Sequence, residues 1–354
     1  YDALVMVNNQ NRETRRKMEE RILKKLSGQF YTISNPFKNN YFFKWYKNML
    51  NSYDEQNLEF LEPFAGTNNI IKLIEELNLP QPSNWKCYDI KEPETNKTPE
   101  YKIEPKDTLK DFPKGYKVAI TNPPYLAKNK ATSLNSNNFD YSYDDLYLKS
   151  LDLMLKNVDF IAAIIPESFI TSGKYQNRLY CIISLEMKMF NDTEVPVCLA
   201  LFNKEETEDF FIVKNNINVG MYKNLQEYLI EFNSGINWKF NDEKGNIGLY
   251  AVDNTDKESI KFVKGSEIKN EIKISSRAIT KISGCDFKND KELEAFIKKA
   301  NKNLEKYRNE TNDIFMTSFK GLRKDFKYRR RLDYKTARNI LNKTYIEIFG
   351  ENYE

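Results

Sequence analysis

The sequence predicts an α/β protein built on a doubly wound, mostly parallel sheet, with an α+β part after it. Three observations carry this. Apolar runs of strand length recur from Leu58 to Phe202, separated by segments with helical spacing. Phe160-Ile161-Ala162-Ala163-Ile164-Ile165 is apolar without a break, as in a strand covered on both faces. Two strand ends run straight into turn-forming residues, where doubly wound sheets place their ligands.

The elements follow in order. Arg12 to Leu26 reads as a charged helix with Ile22, Leu23 and Leu26 on its apolar side, and Tyr41 to Leu50 as an aromatic helix. Leu58–Leu61 reads as a strand, followed by a short loop and a helix carrying Ile70, Leu73, Ile74 and Leu77. Trp85–Tyr88 is a second strand ending at Asp89, and Tyr116–Ile120 another ending at Asn122. Leu146–Leu155 has helical character, and Val195–Phe202 is a further apolar strand. After about Lys204 the segments turn polar, with short strands and turn glycines at Gly245, Gly248 and Gly265. Helices over about Lys291–Tyr307 and Tyr334–Phe349 follow. A boundary falls between residues 205 and 215, dividing the chain into 1–210 and 211–354.

Composition narrows the chemistry. The 354 residues suffice for two domains, and 22 Tyr and 23 Phe in so polar a chain suggest that some aromatics stack on something planar. The charge is +4 from 55 basic and 51 acidic side chains, so the location of charge matters more than its sum. The sequence has no His, which excludes imidazole bases, Ser-His and Cys-His nucleophiles and His-ligated metals. Cys87, Cys181, Cys198 and Cys285 lack metal-type spacing and suit a reducing compartment, so no metal is expected. No apolar run is long enough to cross a membrane and the charged start is unlike a signal peptide, so a cytoplasmic protein is expected.

Two loops carry candidate chemistry. Glu62-Pro63-Phe64-Ala65-Gly66-Thr67-Asn68-Asn69 joins a strand to a helix. Gly66 lets a ligand approach the backbone and Glu62 can accept from an ammonium group; an ordinary turn is the plain alternative. Asn122-Pro123-Pro124-Tyr125 also follows a strand. Its prolines stiffen the turn, so that the Asn122 amide oxygen and the Pro123 carbonyl can accept from one NH2 group beside the Tyr125 ring. The alternative is a rigid aromatic turn.

NPPY resembles the catalytic motif of amino-methyltransferases, which methylate adenine N6, cytosine N4 or glutamine amides. EPFAGTNN is similar to their cofactor motif, and Gly28-Gln29-Phe30-Tyr31-Thr32 to the N-terminal cofactor motif of gamma-class N6-adenine-specific DNA methyltransferases. Motif order is that of the gamma class. The resemblance spans about residues 25–205 and implies a class I methyltransferase (Rossmann-like) fold, S-adenosyl-L-methionine as cofactor and a C-terminal target-recognition domain. It implies that Gly28, Phe30, Thr32, Glu62, Phe64, Gly66 and Asn122 line the cofactor pocket, Thr32 and Glu62 near its methionine part. Asp89 matches the residue that binds the ribose hydroxyls, Asp107 the one that binds the adenine amine, and Phe190 the aromatic that stacks on a flipped base. Without it, Asp89 and Asp107 read as turn carboxylates, Phe190 as core and Thr32 as a cap. Asn68 stands where the family has a second glycine and Ile33 where it has proline; Asn tolerates the left-handed conformation that such a turn needs.

A basic, aromatic stretch runs from Lys320 to Arg338. Lys320, Arg323, Lys324, Arg329, Arg330 and Arg331 are its candidate DNA contacts, against a plain reading as solvated surface. The expected partners are double-stranded DNA and a cognate restriction endonuclease, with the chain itself a monomer. The expected activity is base-flipping N6-adenine methylation in a restriction–modification system. N4-cytosine methylation and a non-catalytic DNA-binding subunit on the same fold are the alternatives.

Overall fold

The structure is a computed structural model that describes residues 35–53, 57–134, 139–185, 196–214, 216–273, 275–325 and 327–350. The helix expected near the start, the motif residues Gly28, Phe30 and Thr32, and Phe190 lie outside the described residues. The chain divides into two compact units. One runs to Phe169 and resumes over Gly173–Phe210; the other takes Ile170–Ser172 and the chain from Phe211 onward.

In the first unit α1 (Asn40–Leu50) starts where the Asn39 side chain accepts from the Tyr41 N–H. Phe42, Trp45, Tyr46 and Met49 recur at three- and four-residue spacing and are buried. β1 (Glu59–Glu62), α2 (Asn69–Glu75), β2 (Asn84–Asp89), β3 (Ile103–Pro105), β4 (Val118–Thr121), α3 (Lys128–Ser133), α4 (Leu146–Asn157), β5 (Phe160–Pro166), β6 (Leu179–Leu185) and β7 (Val197–Phe202) follow. α2 stops short of Leu77, and Asn78 just beyond takes the left-handed conformation at φ 53°.

Within this unit the strands lie in the order β3-β2-β1-β4-β5-β7-β6. The first five run parallel, while β7 is antiparallel to both β5 and β6. This is the class I methyltransferase, Rossmann-like arrangement. Every residue of β5 and β7 is buried, which explains their uninterrupted apolar sequences. From β1 the sheet grows outward to β2 and β3, then returns to add β4 and β5 on the other side. The loops leaving β1 and β4 therefore diverge and open a crevice at the carboxyl ends of the strands.

The second unit is α+β. β8 (Phe211–Lys214) and β9 (Ile217–Met221) form a hairpin, followed by the short helix α5 (Tyr222–Leu225). β10 (Lys239–Phe240), β11 (Ile247–Tyr250), β12 (Lys261–Lys264) and β13 (Ile279–Ser283) make an antiparallel sheet in the order β10-β13-β11-β12. α6 (Asp290–Thr311), the hairpin β14 (Thr317–Leu322) and β15 (Tyr328–Arg331), and α7 (Tyr334–Phe349) complete it. Gly248 lies inside β11 and not in a turn as its sequence context suggests: a Cβ there would come within 2.6 Å of Ile268 Cδ1. Gly265 is a close approach, since a Cβ would sit 2.0 Å from the Gly245 carbonyl oxygen. No helix among the described residues is long and apolar enough to cross a membrane.

Asp253, fully buried, organises this unit. Its carboxylate accepts two hydrogen bonds from Arg308 at 2.9 Å and lies 3.6 Å from Arg323 Nη1, while the Ser259 N–H donates to it at 2.8 Å. Burial alone raises a carboxyl pKa, but the hydrogen bonds and charge of Arg308 outweigh it and hold Asp253 below the usual range. Arg308 is shared with Asp313, bonded at 2.9 and 2.7 Å. Asp253→Ala leaves two buried guanidiniums undercompensated and is expected to cost about 3–5 kcal/mol of stability. Lys324→Ala, which breaks only the exposed pair with Asp256, is expected to cost less than about 1 kcal/mol. Urea unfolding of both variants measures this; equal midpoints would show that Asp253 does not hold the unit together.

Candidate active site

Four polar residues end or follow four neighbouring parallel strands. Asp107 lies two residues beyond β3, Asp89 ends β2, Glu62 ends β1, and Asn122 follows β4. Because the strands are adjacent in the order β3-β2-β1-β4, the four stand in a row along one end of the sheet. Adjacent strands lie about 4.8 Å apart, so the row is the length of an extended small molecule.

Glu62 is fully buried. Its Oε1 accepts from the Thr121 hydroxyl and, at 3.1 Å, from the Phe64 N–H; its Oε2 is buried and has no hydrogen-bond partner among the described residues. Burial pushes the Glu62 pKa from 4.5 to about 8; the two hydrogen bonds pull against that rise and the nearby charge of Asp89 adds to it. A buried carboxyl oxygen without a partner among the described residues is the acceptor that a cationic donor would satisfy.

The loop after β1 is held by its neighbours. Gly66 takes a left-handed conformation at φ 53°, and its N–H donates to Asp89 Oδ2 at 2.8 Å. Asn68 is also left-handed at φ 59°, a conformation that Asn tolerates. Its side chain donates to Asn96 Oδ1 and to the Tyr101 carbonyl at 3.1 and 3.0 Å. Thr108 donates to the Pro63 carbonyl at 2.9 Å and ties the segment after β3 to the same loop. Asp89 is mostly buried, which raises its pKa against the backbone N–H donors of Gly66, Lys91 and Ile90. Asp107 is half-buried and pairs with Lys110 at 3.3 Å.

The turn after β4 is anchored on both sides. The Tyr125 hydroxyl donates towards the Ile164 carbonyl of β5 at 2.6 Å and also lies within reach of Asn122 Oδ1. Its ring is buried edge-on against Tyr147, so it stiffens the turn more than it offers an open face. The next residue, Leu126, donates its N–H to Asp145 Oδ1 at 2.9 Å, and the same oxygen caps α4 through the Tyr147 N–H. Thr121, which the sequence analysis passed over, is the link between the two loops: it bonds Glu62 and immediately precedes Asn122. Its signal was a hydroxyl at the end of an otherwise apolar strand.

The candidate DNA contacts separate by strand alternation. Arg330 is buried on β15 and donates to the Met316 carbonyl at 3.3 Å and Ser318 Oγ at 3.1 Å. Arg323 is buried against Asp325 and Asp253. These two guanidiniums are structural in this unit. Arg329 and Arg331 point to the other side of β15 and are half-buried, while Lys324 is exposed and paired with Asp256. Lys320 lies on β14, its side chain outside the described part.

No family model matches the chain, and no curated protein matches it. Solved structures with a similar fold include the methyltransferase subunit of a type I restriction–modification system from Streptococcus thermophilus, at 14% identity over 53% of this chain and 47% of that one, with a TM-score of 0.38. The type I restriction enzyme EcoKI M protein is similar at 13% identity over 55% of this chain and 47% of that one, TM-score 0.33. The type IIG restriction endonuclease BpuSI is similar at 13% identity over 79% of this chain and 34% of that one, TM-score 0.37. The chain thus spans between about a third and a half of the length of these proteins.

The buried carboxyl has a measurable consequence without any ligand. A folded pKa of about 8 against 4.5 means that the stability from Glu62 is fully present below pH 4.5 and is lost as pH rises through about 8. Glu62→Gln keeps an oxygen for Thr121 and Phe64 and removes the titration. The variant is expected to lose less stability than the parent between pH 5 and 9, read as thermal midpoints; parallel curves would refute the assignment.

Proposed function

We propose that this protein is an S-adenosyl-L-methionine-dependent DNA methyltransferase that modifies N6 of adenine, as the protective methylase of a restriction–modification system with a cognate endonuclease. The observation that carries the reading is the row Asp107, Asp89, Glu62, Asn122 on adjacent strand ends, with Glu62 bonded to the residue before Asn122. In this reading residues 1–210 form the catalytic domain and 211–354 the target-recognition domain.

Glu62 Oε2 would hold the ammonium group of the cofactor, Asp89 the ribose hydroxyls and Asp107 the adenine amine, with Phe64 and Gly66 beside them. Gly28, Phe30, Thr32 and Phe190 keep the roles that the resemblance implies. When bound, the cofactor supplies an electrophilic methyl group on a sulfonium centre. Asn122 Oδ1 and the Pro123 carbonyl would accept hydrogen bonds from the two N–H groups of the target amine. Those acceptors draw the nitrogen lone pair out of conjugation with the ring and stabilise the positive charge that develops on nitrogen. Pro123, Pro124 and the buried Tyr125 hold the acceptors still, so that little reorganisation accompanies the reaction. The surplus proton leaves a nitrogen that has become strongly acidic, so a chain without His needs no strong base. Reaching the amine requires the nucleotide to leave the duplex, at a cost of a few kcal/mol.

Incubation with methyl-labelled S-adenosyl-L-methionine and mixed genomic DNA, followed by digestion to nucleosides, tests the reading. Labelled N6-methyladenine is expected, reduced about 10²–10³-fold by Asn122→Ala with cofactor affinity little changed. Glu62→Gln is expected to weaken cofactor binding, measured by calorimetry, at least tenfold, since it replaces the orphaned acceptor with a donor. Labelled N4-methylcytosine would keep the chemistry and overturn the base; unlabelled DNA from several sources would overturn the reading.

A further inference from the structure

The cations of the second unit fall into distinct groups. Lys264, Lys299, Lys324 and Lys335 are paired with carboxylates, and Arg308 and Arg323 are buried on the Asp253 cluster. Arg277, Arg329, Arg331 and Arg338 form no ion pair among the described residues. Arg277 and Arg338 are exposed, Arg329 and Arg331 half-buried.

Three of them, Arg277, Arg331 and Arg338, lie about an aromatic stack. Phe240 and Tyr334 lie face to face with ring centres 4.4 Å apart and planes at 18°, and the Arg338 guanidinium sits 5.2 Å from the Phe240 ring centre. The Tyr334 hydroxyl donates to the Ser276 carbonyl at 2.6 Å, which brings the adjoining Arg277 to the stack. Arg331 and Arg277 are both close enough to that hydroxyl to pull its pKa down, against the larger upward effect of burial. Arg329 shares the side of β15 with Arg331 and rests over Phe319 at 4.9 Å. Neighbouring carboxylates are engaged elsewhere: Asp333 caps α7 through the Thr336 N–H, Asp242 accepts from Ser283 Oγ and the Lys244 N–H, and Asp325 is held by Arg323.

Arg329 is partly committed, its Nε donating to the Asp253 carbonyl at 2.8 Å, whereas a guanidinium outside any ion pair can present N–H donors that match phosphate oxygens in pairs. The Phe240 ring is already engaged by Tyr334 and Arg338, so this surface offers charge and donors and not a platform for a base. We infer that Arg277, Arg331 and Arg338, gathered about the Phe240–Tyr334 stack, grip the phosphate backbone of duplex DNA. The inference rests on the proposed DNA reading and extends it: the grip is independent of sequence and adds Arg277, outside the contiguous basic run, and Arg338 at its end.

The test is fluorescence anisotropy of the whole chain with a labelled duplex, over about 50 to 300 mM salt. Arg277→Gln, Arg331→Gln and Arg338→Gln are each expected to flatten the plot of log K against log salt by about 0.9 and to weaken binding about fourfold near 0.2 M, on any duplex sequence. Arg→Lys at the same positions should restore the slope, and Lys299→Gln, which breaks only a pair with Glu347, should leave it unchanged. Unfolding midpoints separate loss of contact from loss of fold. An unchanged slope in all three Gln variants, or tighter arginine-dependent binding to single-stranded RNA than to duplex, overturns the inference. A parent chain that binds no duplex overturns it together with the DNA reading. Duplex binding with the expected slopes but no methyl transfer would sink the proposed activity and leave this surface standing.

Discussion

A carboxyl group buried away from water, with only one of its oxygens hydrogen-bonded among the described residues, is the constraint around which the first unit is arranged. Glu62 occupies the end of β1, and the Thr121 hydroxyl from the end of β4 holds it. That bond exists because β1 and β4 are parallel neighbours, paired Phe60 with Val118 and Leu61 with Ala119. Those strands flank the point where the chain reverses the direction in which it builds the sheet. Their following loops must part, so the acidic loop and the Asn122 turn face one crevice while being tied to each other at its floor. The all-apolar strands around them supply the low dielectric that makes a single unpaired oxygen consequential.

The second unit solves a different electrostatic problem. It packs three arginines, Arg308, Arg323 and Arg330, into its interior, which is unfavourable unless each donor finds a partner. Asp253 meets much of that need by collecting Arg308, Arg323 and three backbone N–H groups, Asp313 and Asp325 take further donors, and Arg330 turns to Met316 and Ser318. Alternation along β15 then assigns neighbouring arginines opposite fates: Arg330 faces in, Arg329 and Arg331 face out. A run of basic residues is therefore not one functional feature but two, interleaved residue by residue.

That interleaving marks the limit of what the sequence discloses. The sheet of the first unit was legible because burial on both faces leaves an uninterrupted apolar signature, and the Asn122 turn because two prolines after a strand are rarely incidental. Asn68 was legible too, since the tolerance of Asn for positive φ predicted the turn found. Thr121 was not, because its significance lies in a partner 59 positions away in sequence. β6 was passed over although Cys181, Ile182 and Ile183 are buried; its apolar residues are framed by polar neighbours that do not suggest an inner strand. The basic residues of the hairpin were grouped together as candidate DNA contacts, buried Arg323 and Arg330 included, because charge was counted without the period of two. Gly248 was taken for a turn residue because only the packed Ile268 side chain reveals why a strand needs glycine there.

Proton linkage joins these observations to function. With its pKa near 8, Glu62 in the ligand-free protein is mostly protonated at neutral pH. A cationic group arriving at Oε2 favours the ionised form, so its binding expels the proton, and the free energy of ion pairing is reduced by the cost of that deprotonation. An uncharged ligand expels no proton, and an anionic one meets a carboxyl that is already neutral. Burial of this carboxyl therefore couples the arrival of a cation at Oε2 to the release of a proton. Thr121 and the Phe64 N–H both donate to Oε1, which leaves Oε2 as the oxygen that takes or releases the proton, on the side away from the residue that precedes Asn122 in the chain.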